Sequence, residues 1–159
     1  MNIRRFRESD RERLKAITVI CFEGVSVDQN IEKLHGIVGG HDWRWRKARD
    51  VDADVAANAE GVFVAEVDGE VVGYISTRVN RDTRIGGIPN FSVLPQCQKQ
   101  GIGRALASAA LEYLREQGMQ LARIETLEQN AVGRHFYPQL GFREIARQIH
   151  FAMPLGEQA

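Results

Sequence analysis

Residues 91–106 read Phe91-Ser92-Val93-Leu94-Pro95-Gln96-Cys97-Gln98-Lys99-Gln100-Gly101-Ile102-Gly103-Arg104-Ala105-Leu106. Phe91 to Leu94 suits the end of a strand, and Pro95 closes it because proline has no N–H for the ladder. Gly101 opens an amphipathic helix running to Glu116, with Leu106, Ala110, Leu111 and Leu114 along one side and Gly118 as its stop. A strand, a glycine-containing loop and a helix in that order can hold an anion. Helix starts expose unpaired N–H groups at the positive end of the dipole, and glycines let the backbone approach a phosphate closely. Lys99 and Arg104 add charge at the rim. The loop is not a Walker A motif, since no Gly-Lys-Ser/Thr closes it, and it lacks the third glycine of a dinucleotide fingerprint. Taken alone, the two glycines are better read as a plain turn before a surface helix than as a phosphate site.

Working outward, 62–67 (VFVAEV) and 71–79 (VVGYISTRV) flank Asp68-Gly69, a strong hairpin signal. A turn near Asn80-Arg81-Asp82 leads into a third strand from about Thr83 to Leu94, in which Pro89 predicts a local defect. Downstream, Leu121 to Leu127 reads as a buried strand and Asn130 to Leu140 as a short helix. Gly141-Phe142 turns into a last stretch alternating at Ile149, Phe151 and Met153. Upstream, 2–6 reads as a strand with Ile3 inward. A helix starts at Ser9-Asp10 and carries Leu14, Ile17 and Cys21. Gly24 interrupts it, and a second helix over Val27 to Ile37 carries Ile31 and Leu34 before Gly39-Gly40. Asp50 to Glu60 is alanine-rich and helical in character, whereas Trp43 to Arg49 suits helix or loop. The order βαα-βββ-αβ-αβ predicts an α/β fold with a mixed sheet covered by helices.

With 159 residues, the chain is long enough for one sizeable core and short for two, so 1–159 is expected to be a single domain. The formal net charge is zero, which gives no global attraction to nucleic acid or to an anionic membrane. Two cysteines make neither a disulfide scaffold nor a metal cluster, and the four histidines lack metal-ligand spacing, so no metal is expected. The charged N-terminus has no signal-peptide core, and Ala16 to Phe22 is too short to span a bilayer, so a cytoplasmic location is expected.

The longer run resembles the acyl-CoA signature of the GNAT family of N-acetyltransferases, Gln/Arg-x-x-Gly-x-Gly/Ala. Here it is Gln98, Gly101 and Gly103, after the family's Val-x-Pro at Val93-Leu94-Pro95. A second signature follows at Asn130-Ala131-Val132-Gly133-Arg134-His135-Phe136-Tyr137-Pro138-Gln139-Leu140-Gly141-Phe142, with Gly133 in place of a more usual alanine. The resemblance covers Val62 to Leu155 well and residues 1–60 in layout only.

It implies a mostly antiparallel central sheet with helices on both faces and a splayed central strand pair. It implies acetyl-CoA as co-substrate, its pyrophosphate on the backbone N–H groups of residues 98–103 (Gln98, Lys99, Gln100, Gly101, Ile102 and Gly103) with Arg104 beside them. Its pantetheine arm is then expected between Phe91-Ser92-Val93 and Leu121 to Leu127, with Asn130 in contact. Tyr137 is expected to protonate the leaving thiolate, since direct transfer to a neutral amine needs an acid and oxyanion donors but no covalent intermediate. Glu125 is the candidate base, ahead of Glu23 and His41. Cys97, beside the pyrophosphate loop, is a poor nucleophile candidate, and Cys21 reads as a small buried residue.

The acceptor is expected to be a primary amine of a small molecule or peptide. Trp43, Trp45 and Arg46 are the candidate acceptor-binding residues, and the same segment reads equally well as buried tryptophans with solvated cations or as a homodimer surface. The reading of a different class is a non-catalytic acyl-CoA-binding regulatory module, which would keep Gln98 to Gly103 without needing Tyr137.

Overall fold

The computed structural model describes residues 1–156. Strands β1 (Asn2–Arg5), β2 (Phe63–Val67), β3 (Glu70–Ile75), β4 (Ile85–Ile88), β5 (Phe91–Val93) and β6 (Leu121–Ile124) accompany helices α1 (Arg11–Cys21), α2 (Val27–His35), α3 (Trp43–Asn58), α4 (Ile102–Glu116) and α5 (Ala131–Gln139). Antiparallel pairing runs in the order β1-β2-β3-β5, and β4 pairs parallel with β6. This is the mixed, mostly antiparallel sheet flanked by helices that the sequence predicts.

The β2–β3 hairpin turns at Asp68 and Gly69, both at positive φ (52° and 79°), as its two-residue loop requires. Side chains then alternate between the two faces. Tyr74 points at α1, where its hydroxyl bonds Thr18. On the opposite face Phe63 meets Tyr113 of α4 edge-on. Leu14, Ile17, Val64, Ile75 and Leu106 are fully enclosed between these layers. Truncating Leu14, Ile17, Ile75 or Leu106 to alanine costs on the order of 2–5 kcal/mol. Gly73 allows the close β3–β5 contact, because a Cβ there would lie 2.7 Å from the Ser92 carbonyl oxygen.

The defect expected at Pro89 organises the site. The stretch from Ile85 to Val93 changes partner across Pro89-Asn90. Its first half bonds β6 as far as Ile88↔Ile124, and its second half bonds β3 from Ile75↔Phe91. An isolated bridge, Arg78↔Gly87, links β4 to the chain just beyond β3. Beyond Ile124 nothing among the described residues pairs with the outer edge of β5, and the sheet opens there.

Several expectations need correction. Helix α2 stops at His35, with Gly36 at φ 76° as its cap, and its Leu34 is exposed. Of the two readings left open for Trp43 to Arg49, helix holds: the segment is continuous with the alanine-rich stretch, because Asp42 caps it by accepting from the Trp45 N–H at 3.0 Å. The strand expected over Leu121 to Leu127 is shorter and only partly buried, with Leu121 exposed, since one of its edges has no neighbour. The stretch alternating at Ile149, Phe151 and Met153 forms no strand, because alternation supplies a face but not a ladder partner.

Candidate functional site

Three elements meet at the opening: the edge of β5, the start of α4 and helix α5. Asn90 and Leu94 both bond toward β3, through Ser76 N–H to Asn90 O at 2.9 Å and Leu94 N–H to Val72 O at 2.9 Å. Backbone groups of an antiparallel strand alternate in direction. The Phe91 and Val93 N–H groups and carbonyls therefore face the opening, and the Val93 carbonyl accepts from Gln98 Nε2 at 3.0 Å. The same alternation corrects the expectation for Ser92. Its backbone groups belong to the β3 ladder and its side chain is buried beside Tyr74, so only Phe91 and Val93 offer free donors.

After the short turn Pro95–Cys97, Lys99 and Gly101 adopt positive φ (62° and 84°), winding the loop so that α4 begins with no side chain over its N-terminus. The first return bond is Ala105 N–H to Gly101 O at 3.0 Å. The N–H groups of Ile102, Gly103 and Arg104 are left free, which is the arrangement that binds anions. Ile102 itself is buried, so its contribution there is its N–H, while Lys99 and Arg104 are exposed at the rim and Gln100 reaches back to Gln96 O at 3.5 Å. A Cβ at Gly103 would sit 3.1 Å from the Phe136 ring, so glycine lets α4 and α5 approach closely.

Helix α5 starts at Asn130, whose Oδ1 accepts from the Gly133 N–H at 3.1 Å and whose Nδ2 donates to Thr126 Oγ1 at 2.7 Å. That cap sets the helix so that Tyr137 stacks on Phe91, with Phe136 and Phe142 alongside. Gly133 is explained by the same cluster: a Cβ would lie 2.8 Å from Asn130 Nδ2 and 3.1 Å from Tyr137 Cε2. Burial alone pushes the Tyr137 phenol up to about 12, so it keeps its proton throughout the neutral range. Glu125 follows β6 directly; its carboxylate is exposed and ion-paired with Arg123 at 2.7 Å.

The candidate acceptor residues do not share one surface. Trp43 is 1% exposed, which removes it from any acceptor surface; its N–H is held by Glu32 at 3.0 Å. Trp45 remains at the surface, stacked on His41 at 3.6 Å, and Arg46 is tied to Asp28 at 3.4 Å and to the His41 carbonyl at 3.1 Å. Cys97 lies in the turn before the loop. Cys21 is packed against the core with its thiol pushed up to about 11 by burial, where it stays a thiol rather than a nucleophile.

A buried polar network behind Asn90 has no sequence signature. Asn90 Nδ2 donates to Asp54 at 2.7 Å, its N–H donates to Ser76 Oγ at 3.0 Å, and its Oδ1 accepts from Lys47 at 2.9 Å. Lys47 also holds Asp50 at 2.7 Å and lies over the Phe22 ring, although its place in a run of cations suggests a solvated side chain. The network fastens the point where the strand changes partner. Among the described residues no three potential metal donors are gathered together, and no helix is long and apolar enough to cross a membrane.

Comparison with known proteins agrees with this geometry. The model of the acetyltransferase (GNAT) family matches residues 27–142. An uncharacterized N-acetyltransferase of Archaeoglobus fulgidus is 29% identical over 148 residues, covering 90% of this chain and 93% of that one. A mycothiol acetyltransferase of Streptomyces griseus is 33% identical over 93 residues, or 58% of this chain, and the chain spans only 30% of its length. Among solved structures, the PaiA N-acetyltransferase of Thermoplasma acidophilum, in complex with coenzyme A, shares the fold with a TM-score of 0.71 at 19% identity over 89% of each chain. With the family model spanning both the glycine loop and the Tyr137 helix, the chain belongs to the acetyltransferase (GNAT) family.

Proposed function

We propose that this protein transfers the acetyl group of acetyl-CoA directly to a primary amine of a small molecule or peptide. The observation that carries the reading is the convergence of three features on one opening: the uncapped start of α4, the free N–H edge at Phe91 and Val93, and a protonated Tyr137 stacked on Phe91. The residues suit the co-substrate. Free N–H groups at Ile102, Gly103 and Arg104 match a pyrophosphate, with Lys99 and Arg104 adding charge, and the strand edge matches an amide-containing arm.

Each residue then has a chemical task. The Phe91 and Val93 N–H groups donate to the oxyanion that develops as the amine attacks the thioester. Tyr137 gives its proton to the departing thiolate, and Asn130 positions it by capping α5. Glu125, exposed and paired with Arg123, takes the ammonium proton through water. Trp45 and Arg46 remain candidates for the acceptor side.

The test is a thiol-release assay with acetyl-CoA across a panel of amines, alongside calorimetry of acetyl-CoA binding. Turnover with at least one amine, with acetate found on nitrogen, is the expected result. Binding without turnover on any amine would support the regulatory-module reading instead.

A further inference from the structure

A hollow of about 460 Å³ lies between the C-terminal end of α3, at Ala57 and Asn58, and the turn that follows β3, at Arg78 to Arg81, with Ile85 at its rim. It is separate from the candidate active site. Arg81 donates to the Gln117 carbonyl at 3.1 Å and to its Oε1 at 2.7 Å, just past the last turn of α4. The free N–H groups that suit a pyrophosphate stand at the first turn of that helix, about 20 Å away by the rise of an α-helix.

The side chains of the hollow are donors in search of an anion. Among the described residues no carboxylate lines it. Arg78 uses one nitrogen on the Asp54 carboxylate, Nη2 to Oδ1 at 2.9 Å, and its Nε and Nη1 have no partner among the described residues. Arg81 bonds only the uncharged oxygens of Gln117, so its charge is not offset by an acid there. Asn80 Oδ1 accepts from the Asp82 and Thr83 N–H groups, both at 3.1 Å, which leaves its Nδ2 as a further donor. One paired and one unpaired cation leave a single positive charge, which matches a monoanion, and the planar guanidinium fork matches a carboxylate. Ala57, Val79 and Ile85 add an apolar wall that suits a short aliphatic chain.

We propose that this hollow binds a small aliphatic monocarboxylate, and that its occupancy is felt at the strand switch through Arg78. Arg78 belongs to both places. Its backbone exchanges hydrogen bonds with Gly87 of β4, at 2.8 and 3.0 Å. Its side chain holds Asp54, whose Oδ2 accepts from Ser76 Oγ and from Asn90 Nδ2, each at 2.7 Å. Asn90 directly precedes Phe91, where the free strand edge begins. A second carboxylate on one guanidinium competes with Asp54 for its charge, and Asp54 is buried, without water to take over the bond. The proposal is independent of the catalytic reading, since its test reads binding and backbone amides rather than turnover.

The experiment is a backbone-amide NMR titration of the full chain with isovalerate at constant ionic strength, with isovaleramide and inorganic phosphate as parallel probes. Saturable shifts are expected at the amides of residues 78–81 and Ile85, with a second group at Asn90 and Phe91, and isovaleramide should produce neither. Phosphate should bind more weakly than isovalerate, since it makes no use of the apolar wall. Arg81 is exposed, so Arg81→Gln should keep the fold and weaken isovalerate binding about tenfold. The absence of a saturable shift, an equal response to the amide, or unchanged affinity in the Arg81 variant would overturn the site. Tighter binding of phosphate would overturn the choice of a carboxylate, and shifts confined to the hollow would overturn its coupling to Asn90.

Discussion

The Tyr137 ring lies nearly parallel to that of Phe91, with centroids 6.4 Å apart and 23° between the planes. This contact joins α5 to the strand edge that faces the opening. The phenol is positioned by ring packing, with burial as the sole cause of its raised pKa. Packing of the ring and chemistry of the hydroxyl are therefore separable by substitution.

The glycine loop gives a paired prediction. Gly103→Glu places a Cβ 3.1 Å from Phe136 and a carboxylate at the uncapped helix start. Calorimetry should show loss of acetyl-CoA binding with the fold retained. Gly101→Ala meets no atom within 4 Å but must hold φ at 84°, a cost of roughly 1–2 kcal/mol. It should lower the melting temperature and weaken binding several-fold. Unchanged affinity in the Gly103 variant would place the pyrophosphate elsewhere.

Gly133→Ala tests the packing of α5. The added methyl presses on Asn130 Nδ2 and on the Tyr137 ring. The expected result is a fall in kcat with a smaller change in acetyl-CoA affinity, because α4 is not contacted. An alanine variant with wild-type kcat would show that the cap and the ring tolerate the displacement.

Strong local signals account for what could be read before folding. Asp68-Gly69 named the hairpin, Gly101 and Gly118 bounded α4, and the run Asn130 to Phe142 located Tyr137, because these depend on turn chemistry, capping and motif spacing. The Asn90 network could not be read this way: Lys47, Asp54, Ser76 and Asn90 meet only after α3 crosses the sheet, and no spacing in the chain records that. Trp43 reads equally as an acceptor residue and as a buried tryptophan because Trp-Arg-Trp alternation fits neither a helix nor a strand period; the α3 helix settles it by turning Trp43 inward and leaving Trp45 outside. The period-two pattern after Gly141 was legible, but alternation supplies a face and not a ladder partner, and among the described residues no strand pairs with that stretch.

Asn90→Ala should loosen the partner switch in the sheet. Lys47 loses one acceptor and Asp54 loses one donor in a buried setting, at a cost of about 1–3 kcal/mol. Thermal unfolding should report that loss. Turnover should fall further than stability explains, while acetyl-CoA binding at the α4 loop persists. Equal losses of binding and turnover would indicate general unfolding rather than misplacement of the strand edge.

Acid sensitivity should be traceable to Asp10. Arg4 grips its carboxylate with two bonds, at 2.8 and 2.9 Å, and these hydrogen bonds lead in holding its pKa below the ordinary value. The native pKa is depressed, so the stabilisation is fully present above the unfolded value of about 3.9. It is lost as pH falls through the lower native value. Asp10→Asn should destabilise the protein at neutral pH by about 1.5–3 kcal/mol and flatten the decline below that range. A denaturant midpoint measured across acidic pH reads both effects, and an Asn variant with the wild-type slope would assign acid loss to other carboxylates.

The most direct measurement is the single-turnover rate of acetyl transfer by Tyr137→Phe, using an amine the wild type accepts. The substitution keeps the ring and its stack on Phe91, so the fold and acetyl-CoA affinity should stay close to wild type. Removal of the proton donor should slow the chemical step by roughly 10- to 1000-fold. Single-turnover conditions prevent product release from masking that step. A Tyr137→Phe protein that binds acetyl-CoA normally and transfers the acetyl group at the wild-type rate would contradict the account, leaving the hydroxyl no part in the reaction.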